Sequence, residues 1–247
     1  MMREALVVGG ASGIGLAIAR QFAESGDFRK VHIVDRAAVP EDMLHERFEC
    51  HQFDLLSQDY GFFDRFTDID TLMITAGFGH LALFGDLTED YIVNIMNVNA
   101  TAVMRLIRRF YGRIASSENF YCGVMVSIAG FMSSPFFSVY GASKAALKIF
   151  IESVNVELEK AGYANRILNV SPGSIKGTGF SQGKTDLSLT SGLAKEIIAH
   201  LESKDDLFIP QYEEVFRHVL ERYHADFRAE GRHSYEYKLN SGRVKNG

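Results

Sequence analysis

The chain has 247 residues, 47% of them hydrophobic and 23% charged, which is typical of a soluble globular protein. Its formal net charge of -5 excludes the basic surface that nucleic-acid-binding proteins need, so no nucleic-acid partner is expected. No run of about 18 apolar residues occurs, and we therefore expect neither a membrane-spanning helix nor a membrane partner.

Short apolar runs alternate along the chain with longer helical patterns. The predicted strands are rich in Val, Ile and Leu without polar alternation, which indicates burial on both faces, and they cover 5–8, 31–34, 48–53, 71–75, 123–126 and 167–170. The predicted helices cover 14–24, 60–66, 88–116 and 139–161. This alternation predicts an α/β fold in which helices flank a parallel sheet.

The last third of the chain has a different character. The stretch 171–192 mixes serines and threonines with glycines, at Gly173, Gly177, Gly179, Gly183 and Gly192. Such a composition predicts a long loop after the sixth strand, and long loops in compact domains are usually functional. Farther on, an amphipathic pattern predicts a helix over 212–223, and the tail predicts one more short strand over 235–239.

Cysteine and histidine usage gives expectations about location and metals. Cys50 and Cys122 each lie in an apolar stretch, which favours buried, reduced thiols and a cytoplasmic location. The eight histidines show no metal-ligand spacing with cysteines or carboxylates, so no metal site is expected. The residues MMRE carry no net positive charge ahead of the first apolar run, which argues against a secretory leader.

The segment VVGGASGIG joins the first predicted strand to the first predicted helix. Gly9, Gly13 and Gly15 allow a sharp turn and a close approach to a phosphate, which the N-terminus of the helix would hold. An ordinary glycine-rich turn is the alternative. Asp35 ends the second predicted strand, where an acidic side chain binds an adenosine ribose and repels a 2′-phosphate. NAD is therefore the preferred cofactor, and NADP stays possible because Arg36 could hold that phosphate.

A tyrosine and a lysine stand one helical turn apart in SVYGASKAAL. Tyr140 and Lys144 would share one face of a helix, surrounded by small residues. A fixed ammonium stabilises a phenolate and lowers the pKa of the tyrosine, which suits general acid–base catalysis. A Tyr–Lys spacing is a weak signal by itself, so an ordinary pair on a helix surface is the alternative.

Further segments follow in the order and at the spacings of one family. The sequence ITAG at 74–77 sits where that family has N-N-A-G, and Asn99 lies in NVNAT. Ser127 precedes Tyr140 by 13 residues, and Pro172 with Gly173 follows the sixth strand. With the glycine turn, where Val8 replaces the usual Thr, these segments resemble the short-chain dehydrogenase/reductase family over nearly the whole chain.

The resemblance implies a Rossmann-type fold, a doubly wound parallel sheet of about seven strands with helices on both faces. Residues 1–247 would form one domain, in which 175–210 is a mobile substrate loop and helix. The implied activity is NAD(P)-dependent interconversion of a secondary alcohol and a ketone by hydride transfer.

The resemblance also assigns roles to individual residues. Tyr140 would exchange a proton with the substrate oxygen, and Lys144 would lower the pKa of Tyr140 and bind the ribose. Ser127 would polarise the substrate, and the backbone carbonyl of Asn99 would hold a water that links Lys144 to solvent. The residues assigned to the cofactor are Gly9, Ser12, Gly13, Ile14, Gly15, Asp35, Arg36, Asp54, Leu55, Ala76, Gly77, Tyr140, Lys144, Pro172, Gly173 and Ile175.

Apolar residues near these segments favour an apolar alcohol or ketone as the substrate, and we expect about half of them to touch it. They are Phe78, Phe131, Met132, Phe136, Phe137 and Phe180. A homodimer or homotetramer is the expected assembly, although the long, charged segment 212–247 departs from the family pattern. The alternatives are a non-catalytic dinucleotide-binding sensor, which loss of both N-N-A-G asparagines would allow, and an epimerase or dehydratase, for which this chain has no room.

Overall fold

The structure is a computed structural model that describes residues 2–181, 184–241 and 244. Within these residues, seven strands form one sheet in the order β3-β2-β1-β4-β5-β6-β7, and every neighbouring pair is parallel. The strands are β1 (Arg3–Val8), β2 (Phe28–Asp35), β3 (Phe48–Gln52), β4 (Thr71–Ile74), β5 (Tyr121–Met125), β6 (Ile167–Val170) and β7 (Leu207–Phe208). The strand order reverses between β1 and β4, which confirms the predicted doubly wound, Rossmann-type fold.

Helices cover both faces of the sheet and bury two apolar cores. Helices α1 and α5 pack on one face, whereas α3, α4 and the 3-10 segment Tyr60–Arg65 pack on the other. The helices are α1 (Gly13–Ser25), α2 (Glu89–Met96), α3 (Ala102–Ile114), α4 (Ser138–Lys160), α5 (Leu187–Glu202), α6 (Arg217–Ala225) and α7 (Phe227–Asn240). Across the described ranges, none of these helices has the length and apolar character that a membrane span requires.

The tail of the chain was predicted as a strand, and this prediction is wrong. Residues 235–239 lie inside α7, whose N-terminus is capped by Asp226, because this carboxylate accepts hydrogen bonds from the amides of Arg228 and Ala229. The seventh strand is instead Leu207–Phe208, which directly follows α5 and pairs with β6. The alternation in YEYKL is typical of a strand, but the cap and the packing of α7 on the sheet domain favour a helix.

Two smaller expectations also differ from the structure. The helix predicted over 88–116 is interrupted, because a π-helical turn over Asn97–Thr101 separates α2 from α3. Cys122 is buried as expected, whereas Cys50 is exposed. The reason is that Cys50 lies on β3, the edge strand, where an apolar local sequence does not ensure burial.

The C-terminal helices α6 and α7 lie beside the loops that follow β5 and β6. The ring of Phe216 contacts Gly173 so closely that a Cβ on this glycine would lie 2.6 Å from it. Tyr235 stacks on Phe136 with ring centroids 4.5 Å apart. The ammonium of Lys238 donates to the hydroxyl of Ser134 at 2.7 Å and to the carbonyl of Pro135 at 2.8 Å. These helices therefore border the carboxyl edge of the sheet.

Candidate active site

The glycine turn between β1 and α1 is locked against the end of β4. Gly9 has φ +88°, and a Cβ there would lie 2.3 Å from the amide nitrogen of Ala76. A Cβ on Gly15 would lie 2.2 Å from the carbonyl oxygen of Gly9. The hydroxyl of Thr75 donates to that same carbonyl at 2.9 Å. Only glycine fits at these two positions, which explains their place in the turn.

The first turn of α1 is suited to hold a phosphate. The side chain of Ser12, although at the N-cap position, makes no capping hydrogen bond, and none of the described residues in the first turn is acidic. The amide of Gly13 instead donates to the hydroxyl of Thr185 at 3.0 Å. This amide N–H can donate to an anion in place of the Thr185 hydroxyl. The helix dipole favours negative charge at this position. These residues therefore fit the pyrophosphate of a dinucleotide. Ile14, the second residue of α1, is partly buried and packs against the core on this face of the sheet.

Three residues predicted to bind adenosine lie at the carboxyl edge of β2 and β3. The carboxylate of Asp35 accepts from the amide of Ala11 at 3.1 Å and from that of Ala37 at 3.0 Å, so it is fixed beside the glycine turn. Arg36 and Asp54 are both exposed. The structure thus brings all three to one edge. Leu55 is different, because its side chain packs against the core.

Asn99 lies fully buried in the π-helical turn between α2 and α3. Its side chain forms a double hydrogen bond with the backbone of Phe78: it accepts from the amide at 2.9 Å and donates to the carbonyl at 2.8 Å. It also donates to the hydroxyl of Ser143 at 3.2 Å. The asparagine therefore ties the loop after β4 to α4, from its place in the π-helical turn that interrupts the predicted helix.

Ser127 and Tyr140 meet at the carboxyl end of β5. Both are buried, with 8% of each residue exposed. Burial raises the pKa of Tyr140 to about 12, and the hydrogen bond between its hydroxyl and the side chain of Ser127 opposes this rise. The Ser127 hydroxyl also accepts from the amide of Ala129 at 3.1 Å, which fixes its position. The predicted serine–tyrosine pair is thus assembled in space.

Lys144 lies one turn farther along α4 and is almost completely buried. Its ammonium donates to the carbonyl of Met125 at 2.8 Å and lies 5.7 Å from the centre of the Tyr140 ring. Burial lowers the pKa of Lys144 to about 8. A Cβ on Gly77 would lie 3.3 Å from this ammonium, so the glycine keeps the space beside it open.

The expected decrease in the pKa of Tyr140 is not found in this structure. Removal of the phenol from water dominates its pKa. Lys144 is also less able to stabilise a phenolate by its charge here, because burial favours the neutral form of its amine. The chain alone therefore holds Tyr140 as a neutral phenol, which is the state that can donate a proton.

The loop after β6 covers this group of residues. Phe180 lies with its ring centre 5.0 Å from that of Tyr140 and 5.6 Å from that of Phe137. The carbonyl of Pro172 accepts from the amide of Ile128 at 3.1 Å, and the carbonyl of Ile175 accepts from the hydroxyl of Thr178 at 2.9 Å. Pro172, Gly173 and Ile175 therefore lie at the same edge as Tyr140. Gly183, also predicted in this loop, lies outside the described residues.

The predicted apolar pocket residues separate into two groups. Phe137 and Phe180 contact Tyr140, and Phe78 is held beside it by Asn99. The other aromatic residues point elsewhere: Phe136 is buried against Tyr235 and Phe131 lies under the ammonium of Lys148. About half of the predicted pocket residues thus lie beside the phenol of Tyr140.

Three hydroxyl residues at the site were missed by sequence reasoning. Ser143 donates to the carbonyl of Tyr140 at 2.7 Å and accepts from Asn99, so it joins two predicted catalytic residues. Its position three residues after Tyr140, on the same helical face, was a usable signal. Thr75, at one of the replaced asparagine positions, bonds to the glycine turn. Thr185 had no local signal, because its contact with Gly13 spans 172 positions of the chain.

Comparison with known proteins gives the same assignment as the geometry. The family model described as short chain dehydrogenase matches residues 3–187, which include every residue of the site described above. The chain belongs to the short chain dehydrogenase family. It is therefore an NAD(P)-dependent oxidoreductase with a nucleotide-binding fold.

Individual relatives extend this finding. The chain is 32% identical over 175 residues to an uncharacterized short-chain type dehydrogenase/reductase of Sinorhizobium fredii, covering 70% of this chain and 69% of the relative. It is 29% identical to the NADP-dependent (R)-specific alcohol dehydrogenase of Lentilactobacillus kefiri, over 70% of this chain and 73% of that one. Among solved structures, a short chain dehydrogenase from Burkholderia cenocepacia in complex with NADP matches with a TM-score of 0.76 at 21% identity, covering 94% of this chain and 97% of that one.

Proposed function

We propose that this oxidoreductase interconverts a secondary alcohol and a ketone on an apolar substrate. The observation that carries the proposal is that the side chains of Ser127 and Tyr140 are buried next to each other, with the rings of Phe137 and Phe180 in contact with the ring of Tyr140. A ketone oxygen placed there would meet two hydroxyl donors on one side and apolar walls on the other. A relative of this chain is named an alcohol dehydrogenase, which supports the same reaction class.

In the proposed reduction, the protein positions the carbonyl and supplies a proton. The hydroxyl of Ser127 donates a hydrogen bond to the carbonyl oxygen, and Tyr140 transfers its proton to that oxygen as negative charge develops on it. The bound nicotinamide cofactor supplies the hydride. The ammonium of Lys144 stabilises the phenolate that remains, and oxidation of an alcohol uses the same groups in reverse.

The loop after β6 is proposed to open for substrate entry. Phe180 rests on the ring of Tyr140, where the substrate has to bind, and Thr185 rests on the amide of Gly13, where a phosphate has to bind. Both contacts are broken when cofactor and substrate bind, and contacts with the bound molecules replace them. We therefore propose that the described parts of 175–186 act as the substrate loop, whereas α5 is anchored in the core by Ala194, Ile197 and Leu201.

We propose NAD as the preferred cofactor. The carboxylate of Asp35 is held at the end of β2 by two backbone amides, where it would accept hydrogen bonds from the ribose and repel a 2′-phosphate. Arg36 is exposed beside it and gives NADP an alternative partner. The Burkholderia structure and the Lentilactobacillus enzyme carry NADP in their names, so a direct comparison of the two cofactors is needed.

A homodimer or homotetramer is proposed as the assembly. Ile149 and Val156 lie two helical turns apart on α4 and are 59% and 56% exposed, which places apolar side chains on an outer helix face. Sedimentation of the wild-type chain and of Ile149→Glu would test this face. A monomeric wild-type chain would contradict the proposal.

The activity test is turnover of a panel of hydrophobic ketones with NADH or NADPH by wild type and Tyr140→Phe. Loss of the proton donor is expected to lower kcat by roughly 10²–10⁴-fold. Tyr237→Phe, on the exposed surface of α7, is the matched control and should leave kcat unchanged. Equal turnover by wild type and Tyr140→Phe would refute the mechanism, and cofactor binding without any turnover would support a dinucleotide sensor instead.

The cofactor test is the affinity of wild type and Asp35→Ala for NADH and NADPH, measured by fluorescence titration. Wild type should bind NADH more tightly, and Asp35→Ala should lose most of this preference because the carboxylate no longer repels the phosphate. Tighter binding of NADPH by wild type would overturn the proposed preference and leave the reaction class untouched.

A further inference from the structure

A second cluster of chemically reactive side chains lies near the edge of the sheet formed by β3, away from Tyr140. It consists of His32 on β2 and of Glu49 and His51 on the edge strand β3. His32 pairs in register with Glu49, and His51 pairs with Val34, so the three side chains project from one face of the sheet. The connection between β3 and β4 carries the 3-10 segment Tyr60–Arg65, and the side chain of Glu49 is partly exposed, so the cluster is partly open to solvent.

The three potential ligand atoms converge on one point. Nδ1 of His32 lies 3.4 Å from Nε2 of His51, and Oε1 of Glu49 lies 3.4 Å from Nε2 of His51 and 3.8 Å from Nδ1 of His32. Ligands bound at zinc distances in a tetrahedral site lie about 3.3–3.4 Å from one another. The observed triangle thus matches a tetrahedral metal site, after a small approach of the Glu49 side chain.

A second set of contacts orients these ligands. The buried carboxylate of Glu4 lies 3.3 Å from Nε2 of His32 and pairs with Arg29 at 2.8 Å, so it accepts the N–H of the imidazole. Nδ1 of His32 is then left with its lone pair directed at the cluster. The other carboxylate oxygen of Glu49, Oε2, forms an ion pair with the ammonium of Lys30 at 2.5 Å. Outer partners of this kind, which fix a histidine tautomer and hold a carboxylate, are typical of metal sites.

The surroundings also suit a metal ion that keeps one water ligand. The rings of Phe62 and Phe66 flank the two histidines, with the ring centre of Phe66 5.0 Å from that of His32 and 5.3 Å from that of His51. The side chain of Glu49 is 44% exposed, so solvent reaches the fourth coordination position.

We propose that His32, Glu49 and His51 bind a divalent transition-metal ion, zinc in the first place, with water as the fourth ligand. Two nitrogen ligands and one carboxylate are a donor set that zinc accepts. The ion joins β2 to β3, and its role is to hold the edge strand in place rather than to take part in hydride transfer. In the absence of a metal, the same atoms form a hydrogen-bonded histidine pair, which is the competing explanation.

The sequence contains only part of this arrangement. Glu49 and His51 alternate on one strand, but His32 lies 17 residues before Glu49, a spacing that corresponds to no known ligand motif. Only the parallel pairing of β2 with β3 brings the three together. The expectation that the chain has no metal site, drawn from local spacing, therefore does not apply to this cluster.

The test uses the full chain after treatment with a chelator. Zinc chloride is titrated by calorimetry, and cobalt(II) is titrated with visible absorption, which distinguishes tetrahedral from octahedral coordination. We expect one zinc ion per chain, a tetrahedral cobalt spectrum and a zinc-dependent rise in the midpoint of thermal unfolding. No binding by the wild-type chain would overturn the proposal and support the hydrogen-bonded histidine pair.

Four variants make the test specific. His51→Gln and Glu49→Gln each remove a ligand and should abolish the tetrahedral spectrum, and the Glu49 variant is informative even if the histidine variant fails to fold, because this side chain is half exposed. Glu4→Gln should weaken zinc binding by roughly 10- to 100-fold through the tautomer of His32. Cys50→Ser is the control, because this residue stands between two ligands on β3 and, as strands alternate, projects from the other face. Unchanged zinc binding in both ligand variants would place the ion elsewhere and refute this site.

Discussion

The candidate catalytic centre and the C-terminal helices lie next to each other, yet the chain holds them in opposite ways. In the centre, polar groups are buried and bonded to backbone atoms: Asn99 to Phe78 and Lys144 to the carbonyl of Met125. In α6 and α7 most residues are exposed, and the contacts with the rest of the chain run through a few side chains, among them Tyr235, Lys238 and Phe216, which directly precedes α6.

This difference suggests that the sheet domain supports the reaction and that the C-terminal helices influence substrate specificity. A buried polar group that loses its partner costs free energy, so the positions of the proposed catalytic residues are coupled to folding itself. The C-terminal helices have few such groups and can change with little effect on the sheet. They border the loops that carry Phe136 and Gly173. We therefore expect changes in these helices to alter the shape of the substrate pocket without altering the type of reaction.

The largest effect on stability is expected for Gly9→Ala, in the turn of the sheet domain. The new Cβ would lie 2.3 Å from the backbone of Ala76 at φ +88°, and we expect the free energy of unfolding to fall by more than about 3 kcal/mol. Gly26→Ala is the control, since its φ is +85° and none of the described atoms lies within 4 Å of its Cβ, so it should cost about 1–2 kcal/mol. Equal losses in urea unfolding would show that the turn is not tightly packed against β4.

Lys144→Met tests how much the burial of this ammonium lowers the free energy of unfolding. The pKa of Lys144 is about 8 in the folded chain and 10.5 in its ordinary state, so between these values the unfolded chain binds more protons. The free energy of unfolding of wild type should therefore rise with pH over this interval, by about 3 kcal/mol relative to the Met variant. Urea unfolding at pH 7 and pH 10.5 measures the difference, and parallel pH profiles would show that the lysine is not buried as an ammonium.

A smaller effect is expected at the junction of the two regions. Lys238→Met removes the hydrogen bonds to Ser134 and Pro135, and we expect a loss of about 1–2 kcal/mol in stability. Since these residues lead into Phe137 beside Tyr140, KM for a ketone should rise several-fold while kcat changes less. Lys195→Met, exposed on α5, serves as the control in unfolding and steady-state kinetics. A loss of kcat equal to that of Tyr140→Phe would mean that the C-terminal helices belong to the catalytic centre.

The smallest effect, and one of opposite sign, is expected within α7. A Cβ on Gly231 would approach only the hydroxyl of Ser133, at 3.6 Å, an ordinary contact. Gly231→Ala should therefore raise the free energy of unfolding by about 0.5–1 kcal/mol through the helix propensity of alanine. Thermal unfolding would measure it, and a destabilised variant would indicate that α7 packs on the sheet domain as tightly as the glycine turn does.

Much of the sheet domain could be predicted because its signals are local. Buried strands appear as apolar runs, Gly9 and Gly15 stand where a sharp turn needs them, and Tyr140 and Lys144 stand one helical turn apart. Residues close in sequence are close in space in these elements, so their spacing carries the information. The same reasoning gave the wrong result for 235–239, where an alternating pattern lies in a helix that is stabilised by the Asp226 cap and by packing against Phe136.

The sequence by itself determined the family, the parallel α/β fold and the candidate residues of the catalytic centre. The tertiary structure decided which distant groups share a surface: Thr185 with Gly13 at the start of α1, Lys238 with the loop before α4, and His32 with Glu49 and His51 across two strands. The physical reason is that spacing along a chain specifies neighbours within one helix or strand. Neighbours between elements depend on strand register and on packing, which are properties of the whole fold.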